Sequence, residues 1–588
     1  MKNNVTSLSA SRHKIASAVF SAAWGGVLGL LLLLLSATPS YANVNKKPSK
    51  TSPDLAAFVA EATNGYVTVN VQFTTYPTKG YLKGRQSAGA TVRFQLPTIK
   101  AVNMTVPVSM LTTLEKETNV VYISPDRLLS MSANPATEEF ATAVEADVAA
   151  SQYGFDGTGV GVAIIDSGIA PHSDLNNANG VSRVVYSQSF VAGKTSAVDQ
   201  YGHGTHVAGL IGGNGTSSGT ANGYAATYAG MAPNVNIVNL RVLDQNGSGT
   251  DSQVIAAIQE AIALQSTYNI RVISMSLGRP VFETYTLDPV DQAVEAAWKA
   301  GIVVVCAAGN NGRFAATNGF GTIGVPANDP SVITVGATMT LGTPTRVDDK
   351  IASYSSKGPT VLDHIVKPDL VAPGNNMASL RVAGSTLDTA YPQFELASSN
   401  GTSKYFVLSG TSMATPIVSG AVALLLQQNS SLTPDQVKAR LMKTAWKGIG
   451  QFTSSHDYLG NLYNNEYDLF TYGAGYLDVD NALGNTDLAT GVAVSPTAVN
   501  NNGTISIVNT TLDSNFSGSS VVWGATSVVW GNSVVWGANA FSATSVVWGA
   551  TSVVWGATSE TGYSVVWGAT SNVASLTSAL SDGDGGDN

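Results

Sequence analysis

Apolar and polar residues alternate along residues 65–73, 91–96 and 101–106, the period expected of half-buried strands. Residues 108–117 read as a helix and 120–126 as a further strand, so the early part of the chain predicts a small α+β unit. Beyond it the pattern changes. Residues 160–165 form a near-continuous apolar run that ends in a carboxylate, Asp166, and read as a buried parallel strand. Residues 236–243, 271–278, 302–307 and 332–336 read as further strands. Helices are predicted between and after them. One covers 251–265, with Thr250 or Asp251 as its cap, and one covers 291–300, ended by Gly301. A late one covers 433–445, with Thr433 as cap and Pro434 at its first position. Strand–helix alternation of this kind predicts an α/β fold, a parallel sheet sandwiched by helices.

The helix predicted after Gly410 is of another kind. Its residues, from Ile417 to Leu426, are small or apolar on every side, as in a helix buried all round. A serine, Ser412, stands at its N-terminal end. There the first backbone N–H groups lack intrahelical partners and the dipole is positive. Alone, such a serine is an N-cap. As a nucleophile it needs a base and a group to orient the base. Asp166 ends the strand at 160–165, where open α/β sheets place their sites. His203 opens a small-residue helix in Gly202-His203-Gly204-Thr205-His206. His206 lies one turn further on and reads as a packing histidine, since no His-Glu-x-x-His pattern accompanies it.

Asp166-Ser167-Gly168, Gly202-His203-Gly204-Thr205-His206 and Gly410-Thr411-Ser412-Met413-Ala414-Thr415-Pro416 resemble, in order and spacing, the three active-site motifs of the subtilisin-like serine proteases. The resemblance extends over about 146–483. It implies a serine endopeptidase with the triad Asp166, His203 and Ser412. It also implies that Asn310, in Ala307-Ala308-Gly309-Asn310, is an oxyanion donor. Ser276-Leu277-Gly278 is similar to the family's substrate-binding strand, and Gly324 to the glycine at the base of its main specificity pocket. A glycine there implies a roomy pocket without charge. Asp174 falls where many members place a calcium ligand. The Gly/Ser/Thr/Asn-rich stretch 212–228 departs from the family's calcium loop, so no metal site is assigned. Structural calcium elsewhere is compatible with the many oxygen-bearing loops, and no cofactor is expected for the chemistry.

Composition adds limits. The chain has 588 residues, too many for one core, and only 12% are charged, with a net charge of −9. That disfavours nucleic acid as a partner. The single cysteine, Cys306, lies in the apolar run 302–307 and reads as a packing residue. Lys2, Arg12 and Lys14 precede the apolar stretch 22–35 and Ser40-Tyr41-Ala42, which together read as a secretory signal. The expected organisation is a signal peptide (1–42), a propeptide resembling the family's inhibitory prosegment (43–136), a catalytic domain (137–484), a linker or a few weak strands (485–519) and a repeat tail (520–588). In the tail Ser-Val-Val-Trp-Gly starts at Ser520, Ser527, Ser533, Ser545, Ser552 and Ser564. The expectation is a secreted or cell-surface endopeptidase made as a precursor. Its partners would be protein or peptide substrates, its own propeptide, and the cell surface through the repeats. The alternative is a structural or binding protein built around the repeats, with the protease core as passive scaffold.

Overall fold

The computed structural model describes residues 50–52, 55–60, 62, 65–126, 128–129, 140–449, 452–457, 461–501, 504–508 and 584–585. The expected signal peptide, the six Ser-Val-Val-Trp-Gly units and residues 130–139 of the expected propeptide junction lie outside these.

The alternating strands form one antiparallel sheet. Strand β1 (Tyr66–Phe73) pairs with β3 (Ala101–Pro107) on one side and β4 (Val120–Pro125) on the other, and β2 (Thr91–Leu96) pairs with β3. Helix α3 (Val108–Lys116) buries Met110, Leu111 and Leu114 in the same core as Val69, Val71 and Met104. Two further helices, α1 (Leu55–Ala60) and α2 (Lys79–Ser87), have no counterpart in the sequence reading. Leu82 is the one buried residue of α2, so no apolar stripe marks it.

The apolar runs form a second sheet with the order β7-β8-β6-β10-β11-β12. Its members are β6 (Gly161–Asp166), β7 (Val184–Ser189), β8 (Asn236–Arg241), β10 (Ile270–Met275), β11 (Val303–Ala307) and β12 (Ile333–Met339). These neighbours pair in parallel, as does β14 (Leu370–Pro373) with β12. After β6 the chain builds β7 and β8 to one side, then crosses to β10 on the other. Asp166 therefore sits where the strand order reverses, the usual place for a site in an open parallel sheet. The edge strand β7 and the four-residue β14 escaped the sequence reading, the first half-exposed and the second short.

Helix α4 (His203–Gly212) and helix α7 (Thr411–Gln428) pack against each other, and α7 lies along β10, β11 and β12. All but the last two residues of α7 are buried, which its sequence without a polar face anticipates. Helices α5 (Asp251–Ala263) and α6 (Pro289–Lys299) carry the N-terminal unit. Thr250 caps α5 in a reciprocal pair with Gln253. Across the contact, Asp126 accepts the Ser252 N–H at 2.8 Å and its hydroxyl at 2.7 Å, and Gln72 donates to the Leu287 carbonyl at 2.8 Å. Strand β5 (Leu128–Leu129) then pairs antiparallel with β9 (Gly249–Thr250).

At the other end lies the stretch from residue 485, expected to be a linker or a few weak strands. Residues 495–498 are fastened to the body by backbone hydrogen bonds, and two strands, Thr497–Asn501 and Thr504–Val508, form a hairpin. The reason is a buried ion cluster. The ammonium of Lys438, in α8 (Pro434–Thr444), lies 2.8 Å from the Pro330 carbonyl, 3.2 Å from Asp369 and 2.9 Å from the Ser495 hydroxyl. Ser495 in turn donates to Asp369 at 2.6 Å. Buried charges need such oxygens and donors, and the chain after 485 supplies some of them. Among the described residues, no helix is long and apolar enough to cross a membrane.

Candidate active site

Two chain segments meet at the C-terminal end of β6, and a third lies beyond the end of β10. Asp166 closes the strand, and its Oδ1 accepts the Ser167 N–H at 2.7 Å. His203 is the first residue of α4, and its Nδ1 lies 2.9 Å and 3.1 Å from the two oxygens of Asp166. Both side chains are about 1% exposed. The Gly-His-Gly pattern has a steric cause at this crossing. A Cβ on Gly204 would stand 2.3 Å from the Gly168 carbonyl and 3.1 Å from the Asp166 side chain. Gly202 has φ +105°, a turn that glycine adopts readily. With Nδ1 donating to Asp166, Nε2 of His203 is left as the basic nitrogen, and it is buried without a hydrogen-bond partner among the described residues.

Ser412 lies in the first turn of α7, 4% exposed. Its hydroxyl donates to the Ser276 carbonyl at 3.3 Å. Pro416 follows four residues later and has no N–H to give to the Ser412 carbonyl. That carbonyl accepts the Ser276 hydroxyl instead, at 2.8 Å. The nucleophile candidate and the segment after β10 are thus joined in both directions. Asn310, just beyond β11, accepts the Thr411 N–H at 2.9 Å and the Thr411 hydroxyl at 3.1 Å through Oδ1. Its amide oxygen is held beside Ser412, and the amide NH2 is turned away from these two donors.

The segments expected to bind substrate also meet. Arg279 and Val325 exchange backbone hydrogen bonds of 3.1 Å and 2.8 Å, and the Gly324 N–H donates to the Ala308 carbonyl at 3.3 Å. A Cβ on Gly324 would lie 2.7 Å from the Arg279 carbonyl, and one on Gly278 would lie 3.0 Å from the Val325 carbonyl. Ser276, Leu277 and Gly278 therefore lie beside Gly324 and the Ala307–Asn310 turn. The Arg279 guanidinium is buried elsewhere, 2.8 Å from Asp251 and 2.6 Å from Asp288.

Three other groups are excluded from chemistry. His206 Nε2 lies 3.0 Å from each of the Met377 and Phe406 carbonyls. Burial and the neighbouring His203 push its pKa down to about 3, so it is a neutral packing histidine. Cys306 is fully buried, and burial pushes its thiol well above the ordinary range. Asp174 does not fit a calcium ion. Its carboxylate accepts the Ser217 N–H at 2.9 Å, the Thr216 hydroxyl at 3.3 Å and the Tyr405 hydroxyl, while Arg183 donates to its carbonyl at 2.8 Å. Protein donors and a guanidinium take the places that a cation would need. Among the described residues, no three His, Cys, Asp or Glu side chains are grouped to hold a metal.

Sequence reasoning missed Ser276 as a partner of the Ser412 carbonyl, Thr411 as the anchor of Asn310, and a second buried carboxylate, Asp199. The one signal for Asp199 was its place four residues before His203.

An open parallel sheet with a buried Asp–His pair at its switch point and a serine in the first turn of a buried helix is an arrangement compatible with a serine hydrolase. Residues 157–485 match the subtilase family, Peptidase S8. The chain is 39% identical over 334 residues to serine protease AprX of Bacillus subtilis (strain 168), covering 56% of this chain and 66% of that protein. It is 34% identical over 340 residues to subtilisin DY of Bacillus licheniformis, covering 58% of this chain and 96% of that protein. With subtilisin E of Bacillus subtilis it shares 34% over 396 residues, 67% of this chain and 83% of that one. The chain belongs to the subtilase family, the subtilisin-like serine-type peptidases.

Proposed function

We propose that the protein is a secreted serine endopeptidase, made as a zymogen and processed by its own active site. The contact that carries this reading is the buried pair of His203 Nδ1 and Asp166, 2.9 Å apart at the end of β6. Asp166 fixes the tautomer in which Nε2 is the base and stabilises the imidazolium once formed. His203 takes the Ser412 proton as Oγ attacks a peptide carbonyl, then gives it to the leaving amine. The side-chain NH2 of Asn310 and the backbone N–H of Ser412 receive the oxyanion. An extended substrate lies along Ser276–Gly278, with the side chain before the scissile bond entering the pocket at Gly324.

The N-terminal unit is the propeptide. Supporting this are its docking on α5 and α6 and the pairing of Leu128–Leu129 with Gly249–Thr250, which lays an extended chain along an edge of the catalytic body. Residues 1–42 direct export, and the tryptophan repeats contact the cell surface. The test is a fluorophosphonate probe applied to mature secreted protein. Ser412 is labelled in the wild type and labelling is lost in His203→Ala. No labelling of folded wild-type enzyme would defeat the reading.

A further inference from the structure

Asp199 stands behind the Asp166–His203 pair in the loop that leads into α4, and it is 2% exposed. Its Oδ1 accepts the Ser167 hydroxyl at 2.9 Å, the Tyr201 N–H at 3.0 Å and the Gly202 N–H at 2.8 Å. Its Oδ2 accepts the Thr205 N–H at 2.9 Å and the Thr205 hydroxyl at 2.7 Å. Every partner is a donor. The two hydroxyls are themselves acceptors, Ser167 from the Gly204 N–H at 2.9 Å and Thr205 from the Ala170 N–H at 3.0 Å. A proton on Asp199 would displace one of these five donors, so they favour the carboxylate, while burial and the nearby Asp166 push its pKa up.

These bonds join the two halves of the proton-transfer site. Ser167 follows Asp166 directly, and Tyr201, Gly202 and Thr205 bracket His203. The charges around it are few. Arg241, at the end of β8 and in register with Asp166, feels the field of Asp199 and ties down its loop by donating to the Ser196 and Val198 carbonyls at 3.1 Å and 2.8 Å. Asp244 shares Arg241 with Asp199. His206, from the next turn of α4, is neutral, and the phenol of Tyr201 is pushed up by burial. Three carboxylates, Asp166, Asp199 and Asp244, face one guanidinium, so the surroundings carry net negative charge while His203 is neutral. A proton on His203 offsets part of that charge in the state formed during the reaction. An interaction stronger in that state than in the ground state accelerates the step.

We infer that Asp199 is a positioning carboxylate of the catalytic site, which holds the first turn of α4 against Asp166 and adds its field to the stabilisation of the His203 imidazolium. This rests on the assignment of His203 as the general base. Asp199→Asn removes the charge and turns an amide NH2 toward existing donors.

The experiment uses full-length protein matured by a trace of tagged wild-type enzyme that is then withdrawn. Sites are counted with a fluorophosphonate, so kcat refers to folded, competent molecules. The expected result for Asp199→Asn is a kcat lowered at least about tenfold at little-changed KM, less than the loss from a direct triad member. The acid limb of kcat/KM moves to lower pH, because the imidazolium has lost a negative neighbour. An unchanged kcat overturns the inference, and so does a lowered kcat with the acid limb unmoved, which a purely structural cap would give. Should Asp199→Asn not fold, Ser167→Ala decides. That change loosens Asp199 and the Gly204 N–H together and is expected to lower kcat several-fold at constant KM, whereas an unaltered kcat overturns the inference. A wild type that the probe does not label would instead sink the serine-peptidase reading, and this inference with it.

Discussion

Ser276 and Ser412 hold each other by reciprocal contacts, the Ser276 hydroxyl on the Ser412 carbonyl at 2.8 Å and the Ser412 hydroxyl on the Ser276 carbonyl at 3.3 Å. The first contact exists because Pro416 cannot serve that carbonyl from within the helix. The segment after β10 and the first turn of α7 are thereby set by a pair of hydrogen bonds between two serines 136 positions apart.

Ser276→Ala leaves the buried Ser412 carbonyl without a donor, at a cost of about 1–3 kcal/mol in unfolding free energy. Pro416→Ala restores an N–H one helical turn away. The double variant is therefore expected to be more stable than the sum of the two single changes, measured by denaturant unfolding. Strict additivity would show that Pro416 does not create the need for Ser276.

Ser412→Ala should lower kcat on a peptide substrate by about a million-fold, and Asn310→Ala by about a hundred- to a thousand-fold. Both magnitudes are carried over from subtilisin, a relative. The difference between them is the prediction. In the proposed mechanism Asn310 supplies one transition-state donor, whereas Ser412 forms the covalent bond. Equal losses would contradict the two roles.

Ser412→Ala, expressed in a protease-free host, should accumulate with the segment from Asn43 still attached, because in the proposed self-processing the cut between residues 130 and 146 is made by the same serine. Gel mass and N-terminal sequencing read the outcome. Normal processing of the inactive variant would assign the cut to another enzyme.

Gly324 leaves the pocket without a charge, and the nearby Arg279 guanidinium is buried against Asp251 and Asp288. Large apolar or aromatic residues before the scissile bond should be preferred. Their burial contributes about 1.5–3 kcal/mol, one to two decades in kcat/KM. A peptide library that selects Arg or Lys there would refute the assignment.

His206 gives the fold a calculable acid sensitivity. Its folded pKa is lowered to about 3 from 6.5. Below pH 6.5 the unfolded chain takes up a proton that the folded one refuses, so its contribution to stability is complete above that pH and lost on acidification. The slope approaches about 1.4 kcal/mol per pH unit down to about pH 3. His206→Gln keeps a donor for the Met377 or Phe406 carbonyl and should flatten the pH dependence of unfolding over this window. An unchanged slope would place the acid sensitivity elsewhere.

Most strands of the central sheet, the all-buried helix that begins at Thr411 and the segments that bring Asp166 to His203 were legible in the sequence, because each is written in residues close together along the chain. An apolar run marks a strand buried on both faces whatever its neighbours, and Gly-His-Gly marks a helix start pressed against another segment. Helix α2 was not legible, since its one buried residue leaves no periodicity. What the tertiary structure alone decided are the polar pairings between distant segments. Tyr405 meets Asp174 where the family resemblance suggested calcium, Ser495 and Lys438 pin down a stretch that reads as linker, Ser276 serves the carbonyl that Pro416 leaves free, and Asp199 gathers donors from both sides of the proton-transfer site. A buried polar group must find a partner. Which partner it finds depends on which side chains the fold brings within about 3 Å, and no local pattern carries that distance.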